Sequence, residues 1–137
     1  MGPICEFKDQ QELNECLSWW QEKLFLKDWF IEATIENQPG FDMEGSCGEN
    51  IMTFEQKLAI IHILAVEDYP KISPLRYCQE KVLVHELLHC KYNFLVPDST
   101  VFEQKYFDEM DHQRLEEMAK TLIMVKYKIP LSWFKND

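Results

Sequence analysis

With 137 residues, 46% of them hydrophobic and 13% aromatic, the chain has enough apolar side chains for one compact domain with a core and too little length for a second. Its 24 acidic residues against 14 scattered basic ones give a formal net charge of −10, which excludes the positive stripe that a nucleic-acid backbone requires. The charged residues are interspersed with apolar ones, unlike the pattern of a disordered chain.

The five cysteines Cys5, Cys16, Cys47, Cys78 and Cys90 are odd in number and form no CxxC pair, so reduced thiols are expected instead of a disulfide framework or a cysteine zinc knuckle. The stretch Met1-Gly2-Pro3-Ile4-Cys5-Glu6 has neither a signal-peptide nor an acylation pattern, and no segment offers about 18 uninterrupted apolar residues. These features predict a single domain over residues 1–137, cytoplasmic, with no membrane and no nucleic acid as partner.

From Asp9 to Leu26, Leu13, Leu17, Trp20 and Leu24 recur at helical spacing, with Cys16 and Trp19 widening the stripe; this predicts a first helix. Trp29 to Glu36 is rich in β-branched and aromatic residues and suits a strand, stopped by Asn37-Gln38-Pro39-Gly40. Gly45 to Asn50 reads as a glycine-bearing loop or a short bulged strand entering Ile51-Met52-Thr53. Gln56 to Leu64 favours a further strand, with a helix over Glu55 to Val66 as the alternative.

Pro70 and Pro74 prevent helix before Leu75, and a second helix is predicted from between Leu75 and Tyr77 to about Phe94. After Pro97-Asp98, Ser99 or Thr100 can cap a third helix, with Glu103 at the capping-box position of Thr100 and an end near Lys126. The order implies an α+β domain with a small, three-stranded, mainly antiparallel sheet packed on three helices.

The chemistry concentrates in His85-Glu86-Leu87-Leu88-His89. On a helix the two histidines project from one face about a turn apart and can bind the same zinc ion. Glu86 then takes a proton from a zinc-activated water and returns it to the leaving amine. Val82-Leu83-Val84 and Leu87-Leu88 would bury this helix and give the site a low-dielectric setting.

A catalytic zinc normally has three protein ligands, so one more must come from elsewhere. The predicted third helix offers His112 among Asp108, Glu109, Asp111, Glu116 and Glu117, while His62 lies in a predicted strand and suits a core or surface role better. Spacing alone reads Glu116 and Glu117 as a solvated face paired with Lys120.

Lys81 to His89, followed by Leu115-Glu116-Glu117-Met118-Ala119-Lys120-Thr121-Leu122, resembles small phage-associated zincin metallopeptidases, similar in turn to the ImmA/IrrE family, over roughly residues 51–125. The resemblance implies a minimal zincin-like domain. Through its Glu-x-x-Ala pattern it assigns the third ligand to Glu116, giving a metal set of His85, His89 and Glu116 with Glu86 as the catalytic residue. His112, one turn earlier, is the next choice, ahead of Asp108, Asp111 and Glu117.

The function expected is zinc-dependent hydrolysis of a polypeptide, which the resemblance would extend to a repressor protein. The alternative is a metal-stabilised, catalytically silent binding or regulatory protein; a latent form that needs remodelling is a third. In the glycine-bearing loop Cys47 is a candidate inhibitory thiolate, whereas Cys90 should point into packing.

Overall fold

The computed structural model describes residues 1–41, 46–92 and 101–136. Three helices, α1 (Gln10–Lys23), α2 (Gln79–Lys91) and α3 (Val101–Tyr127), accompany three strands, β1 (Phe30–Glu36), β2 (Gly48–Thr53) and β3 (Leu58–Leu64). The small α+β architecture expected from the sequence is present.

Asp9 opens α1 by accepting the Glu12 N–H at 2.8 Å, the capping bond an aspartate makes with an otherwise unpaired amide. Leu13, Cys16, Leu17 and Trp20 form the buried stripe, while Trp19 falls off it and is half exposed. The helix stops short of Leu26 because Phe25 adopts a left-handed conformation, φ 58°. That turn carries both Leu24 and Leu26 into the core and leaves Phe25 in solvent.

The sheet order is β1-β3-β2. β3 pairs in parallel with β1, from Phe30 opposite Leu58 to Glu36 opposite Leu64, and antiparallel with β2, from Gly48 opposite Ile63 to Thr53 opposite Leu58. One of the two pairings is thus antiparallel and the other parallel. The parallel one joins strands that are not consecutive in the chain, so no hairpin signal announces it. Ala59, Ile61 and Ile63 of the central strand are fully buried and alternate with Ile60 and His62 on the opposite face.

α2 packs on β2 and β3 and lies between α1 and α3. It begins at Gln79, later than the sequence suggests, because the preceding residues pair with the C-terminal segment: Leu75 bridges Lys135 and the Arg76 N–H donates to the Phe134 carbonyl at 2.8 Å. The Cys78 thiol caps the helix by accepting the Lys81 N–H. Two buried polar side chains then anchor its first turn. Gln79 bonds the Phe7 N–H and the Leu64 carbonyl, and Glu80 gathers donors from three other parts of the chain.

Past Lys91 the expected end of this helix near Phe94 and the caps at Ser99 or Thr100 lie outside the described residues. α3 runs unbroken to Tyr127, where left-handed Lys128 (φ 55°) closes it and the Ile129 N–H returns to the Met124 carbonyl. Among the described residues no helix is long and apolar enough to cross a membrane.

Candidate metal centre

Val82, Leu83, Val84, Leu87 and Leu88 are buried, so α2 is a core helix, as its apolar flanks predicted. His85 and His89, one turn apart, occupy the stripe that faces α3 and remain half-buried, with ring centroids 5.0 Å apart. From α3, His112 brings its ring to 5.6 Å from His85 and 4.7 Å from His89.

One ligand atom from each of these three histidines lies within 4.8 Å of the others, and the group could hold a metal ion. Within the group, His85 Nε2 and His112 Nδ1 are 3.4 Å apart. That is long for a hydrogen bond. It is close to the edge of a tetrahedron whose metal–nitrogen bonds are about 2.0–2.1 Å, on the order of 3.3 Å. Burial and the neighbouring imidazoles lower the His89 pKa to about 4, which keeps its ring neutral and its lone pair available.

Glu116 reaches the same centre but engages a different atom. One carboxylate oxygen lies 3.0 Å from His85 Nδ1, and the other accepts from Lys81 Nζ at 2.6 Å. Burial works against its charge, but the hydrogen bonds from His85 and Lys81 outweigh it and hold the carboxyl at about 2. The result is a Lys81–Glu116–His85 chain that fixes the ring and directs Nε2 towards His112. Lys81 was not singled out by the sequence, although it stands four residues before His85 on the same helical stripe.

Glu86 is 6% exposed, and its side-chain carboxyl takes no hydrogen bond from a described residue. Burial pushes its carboxyl up to about 7; the nearby His85 pulls it down and the charges of Glu116 and Glu49 push it further up. β2 holds this part of α2 closely. Asn50 Nδ2 donates to the Glu86 carbonyl at 2.9 Å and to Cys90 Sγ at 3.4 Å, and a Cβ at Gly48 would stand 2.7 Å from both Glu86 Oε2 and Val82 Cγ1. A larger residue there would force Glu86, Val82 or the strand to shift, a tightness its loop-like setting in the sequence did not disclose.

Glu86, His85, His112 and Glu116 line one cleft of about 390 Å³, which Cys47 and Gly48 border from β2 and the chain before it. Cys47 lies at this rim and is outside the metal-binding group. His62 sits on β3 with Nδ1 3.4 Å from Glu49 Oε2, and Cys90 is buried. Asp108 and Glu117 are exposed, and none of Asp108, Asp111 and Glu117 joins the three histidines. No protein-family model, curated protein or solved structure matches the chain.

Proposed function

We propose that the chain is a zinc-dependent metallopeptidase in which His85, His89 and His112 hold the metal and Glu86 acts as general base and then general acid. One juxtaposition carries the reading: a three-imidazole group able to hold a metal ion and a buried carboxyl raised to about 7 belong to one centre beside one cleft. Three imidazoles leave a tetrahedral ion one position for water or substrate, as hydrolysis requires and a closed structural site does not.

A zinc ion held by these three imidazoles would supply a Lewis acid able to acidify a water molecule and polarise a carbonyl. Glu86 handles the proton. A bound cation would draw its carboxyl down and favour the base form, which can accept a proton at an Oε atom and pass it to the leaving amine nitrogen. Glu116 keeps a proton on His85 Nδ1 and so frees Nε2 as a ligand, while Lys81 holds the Glu116 carboxylate in its charged form. The family resemblance would give Glu116 to the metal; its engagement with Lys81 and His85 Nδ1 favours His112 in that role and Glu116 as the support.

Elemental analysis of the purified chain and its variants tests the ligand set. About one zinc per chain is expected in the native protein and in Glu86→Gln, with loss in His85→Ala, His89→Ala and His112→Ala. Glu116→Ala should weaken zinc affinity by about 10–100-fold without abolishing it. Zinc lost from Glu116→Ala but kept by His112→Ala would return the glutamate to the metal. Because the histidines come from both α2 and α3, zinc would also tie two helices together, and a binding protein stabilised by the metal is the competing reading. Stoichiometric zinc with no peptide cleavage by the native chain would favour it.

A further inference from the structure

A second, smaller pocket of about 170 Å³ adjoins the metal cleft, and Cys47, Lys81 and Glu116 line both. Arg76 and Lys120 line the smaller one as well. In a chain of net charge −10, three cations surround a cavity whose single carboxylate, Glu116, is already bonded to Lys81 and His85. The distant negative charges are screened beyond about 8–10 Å, so the local excess of positive charge governs what enters.

Arg76 is the fixed element of this pocket. Its guanidinium carbon lies 4.5 Å from the centroid of the Trp133 ring, and its backbone N–H is tied to Phe134. Its Nε is buried and has no hydrogen-bond partner among the described residues. A buried guanidinium N–H without an acceptor is costly and uncommon, and a planar fork of donors matches a carboxylate. Lys120, one turn beyond Glu116 on α3, makes no ion pair among the described residues.

We infer that this pocket binds a carboxylate of the substrate, either an acidic side chain next to the scissile bond or a free C-terminus. The word substrate rests on the peptidase reading; the affinity for carboxylate does not. Arg76 supplies the oriented donors and Lys120 the second charge, while the shared wall of Lys81 and Glu116 sets the bound group beside the metal cleft. Selection of acidic peptides by a chain that is itself strongly acidic is the unexpected consequence.

The test uses the full zinc-loaded chain carrying Glu86→Gln, titrated with N-acetyl-glutamate amide, N-acetyl-glutamine amide and N-acetyl-alanine with a free carboxylate, while nitrogen NMR follows the Arg76 Nε–H resonance. A saturable shift is expected with at least one carboxylate, absent with the glutamine amide and weakened about tenfold by Lys120→Ala. Which of the two carboxylates responds tells a side-chain site from a C-terminal one. No saturable shift with either, or an equal shift with glutamine, overturns the inference.

Paired peptides differing by Glu or Gln at each position, given to the native chain, separate the two readings. A preference for Glu or for a free C-terminus of about tenfold in kcat/KM, lost in Lys120→Ala and reduced in Arg76→Lys, is the expected result. Cleavage without that preference sinks the pocket and leaves the peptidase standing. A carboxylate-dependent Arg76 shift with no cleavage of any peptide does the reverse.

Discussion

Glu80 and Glu86 sit on the same helix, both deeply buried at 0% and 6% exposure, yet their surroundings drive them in opposite directions. Four donors converge on Glu80: the Ile4 N–H and Tyr127 hydroxyl on one oxygen, the Trp20 indole N–H and Lys126 Nζ on the other. Burial pushes the pKa of that carboxyl up, but these bonds overcome it and hold it below its ordinary value. Glu86 has no comparable set and is pushed up to about 7. Burial therefore does not mark a functional carboxylate; what distinguishes the two is whether the buried charge is already satisfied. Glu80 fastens the N-terminal segment, α1 and α3 to α2, whereas Glu86 lines a cleft with its carboxyl unmatched.

Exchanging each for glutamine should separate these roles. If Glu86 is the general base proposed above, Glu86→Gln should cut peptide cleavage by about 10²–10⁴-fold, with zinc content and unfolding midpoint near those of the native chain. Glu80→Gln should do the opposite. Breaking the buried contact with Lys126 should cost about 3 kcal/mol in chemical denaturation, towards the low end for such pairs because Lys126 can partly regain solvent. Residual kcat per zinc-loaded, folded molecule should stay close to native. If Glu80→Gln abolished catalysis without loosening the fold, the division between structural and functional carboxylate would be wrong.

The contrast also explains what the sequence could and could not reveal. His85, Glu86 and His89 are legible because their spacing is local: one helix sets their geometry. The helices and strands follow from periodicity for the same reason, whereas the parallel pairing of β1 with β3 is long-range and leaves no local mark. The third histidine is a similar case. His112 and Glu116 stand one turn apart on α3, both of suitable chemistry, and only the packing of α3 on α2 decides that the imidazole meets His85 Nε2 while the carboxylate meets Nδ1. Glu80 reads simply as an acidic residue in the first turn of a helix; its four donors come from residues 4 to 127. Arg76 likewise needs Trp133, Phe134 and Lys120 before it forms a pocket.

A smaller expected effect sharpens the Glu86 side of the comparison. Gly48→Ala would place a methyl group 2.7 Å from Glu86 Oε2 and from Val82 Cγ1, closer than such contacts allow. The β2 backbone or the Glu86 side chain must yield, at a cost of about 1–3 kcal/mol typical of overpacking. If the carboxylate is what moves, cleavage falls more than stability does; if the strand moves, the two fall together. Native zinc content in either case would confine the damage to the base.

The pH dependence of the metal-free chain carries the same contrast, with a sign opposite for the two residues. The folded pKa of Glu80 is depressed, so the unfolded chain binds more protons just below about 4.5 and the stability that Glu80 contributes is lost as pH falls through the folded value. The native chain should accordingly lose its advantage over Glu80→Gln in acid. Glu86 is raised from 4.5 to about 7, so the folded chain binds more protons across that window and ionisation destabilises it as pH rises. Relative to Glu86→Gln, the native metal-free chain should lose stability between about pH 4.5 and 7, by no more than about 1.4 kcal/mol per pH unit. His89, lowered to about 4, contributes a slope of the other sign, but it does so in both proteins and largely cancels in their difference. A flat difference across that window would mean that Glu86 is already satisfied as Glu80 is, and the carboxylate would then be a second anchor instead of a base.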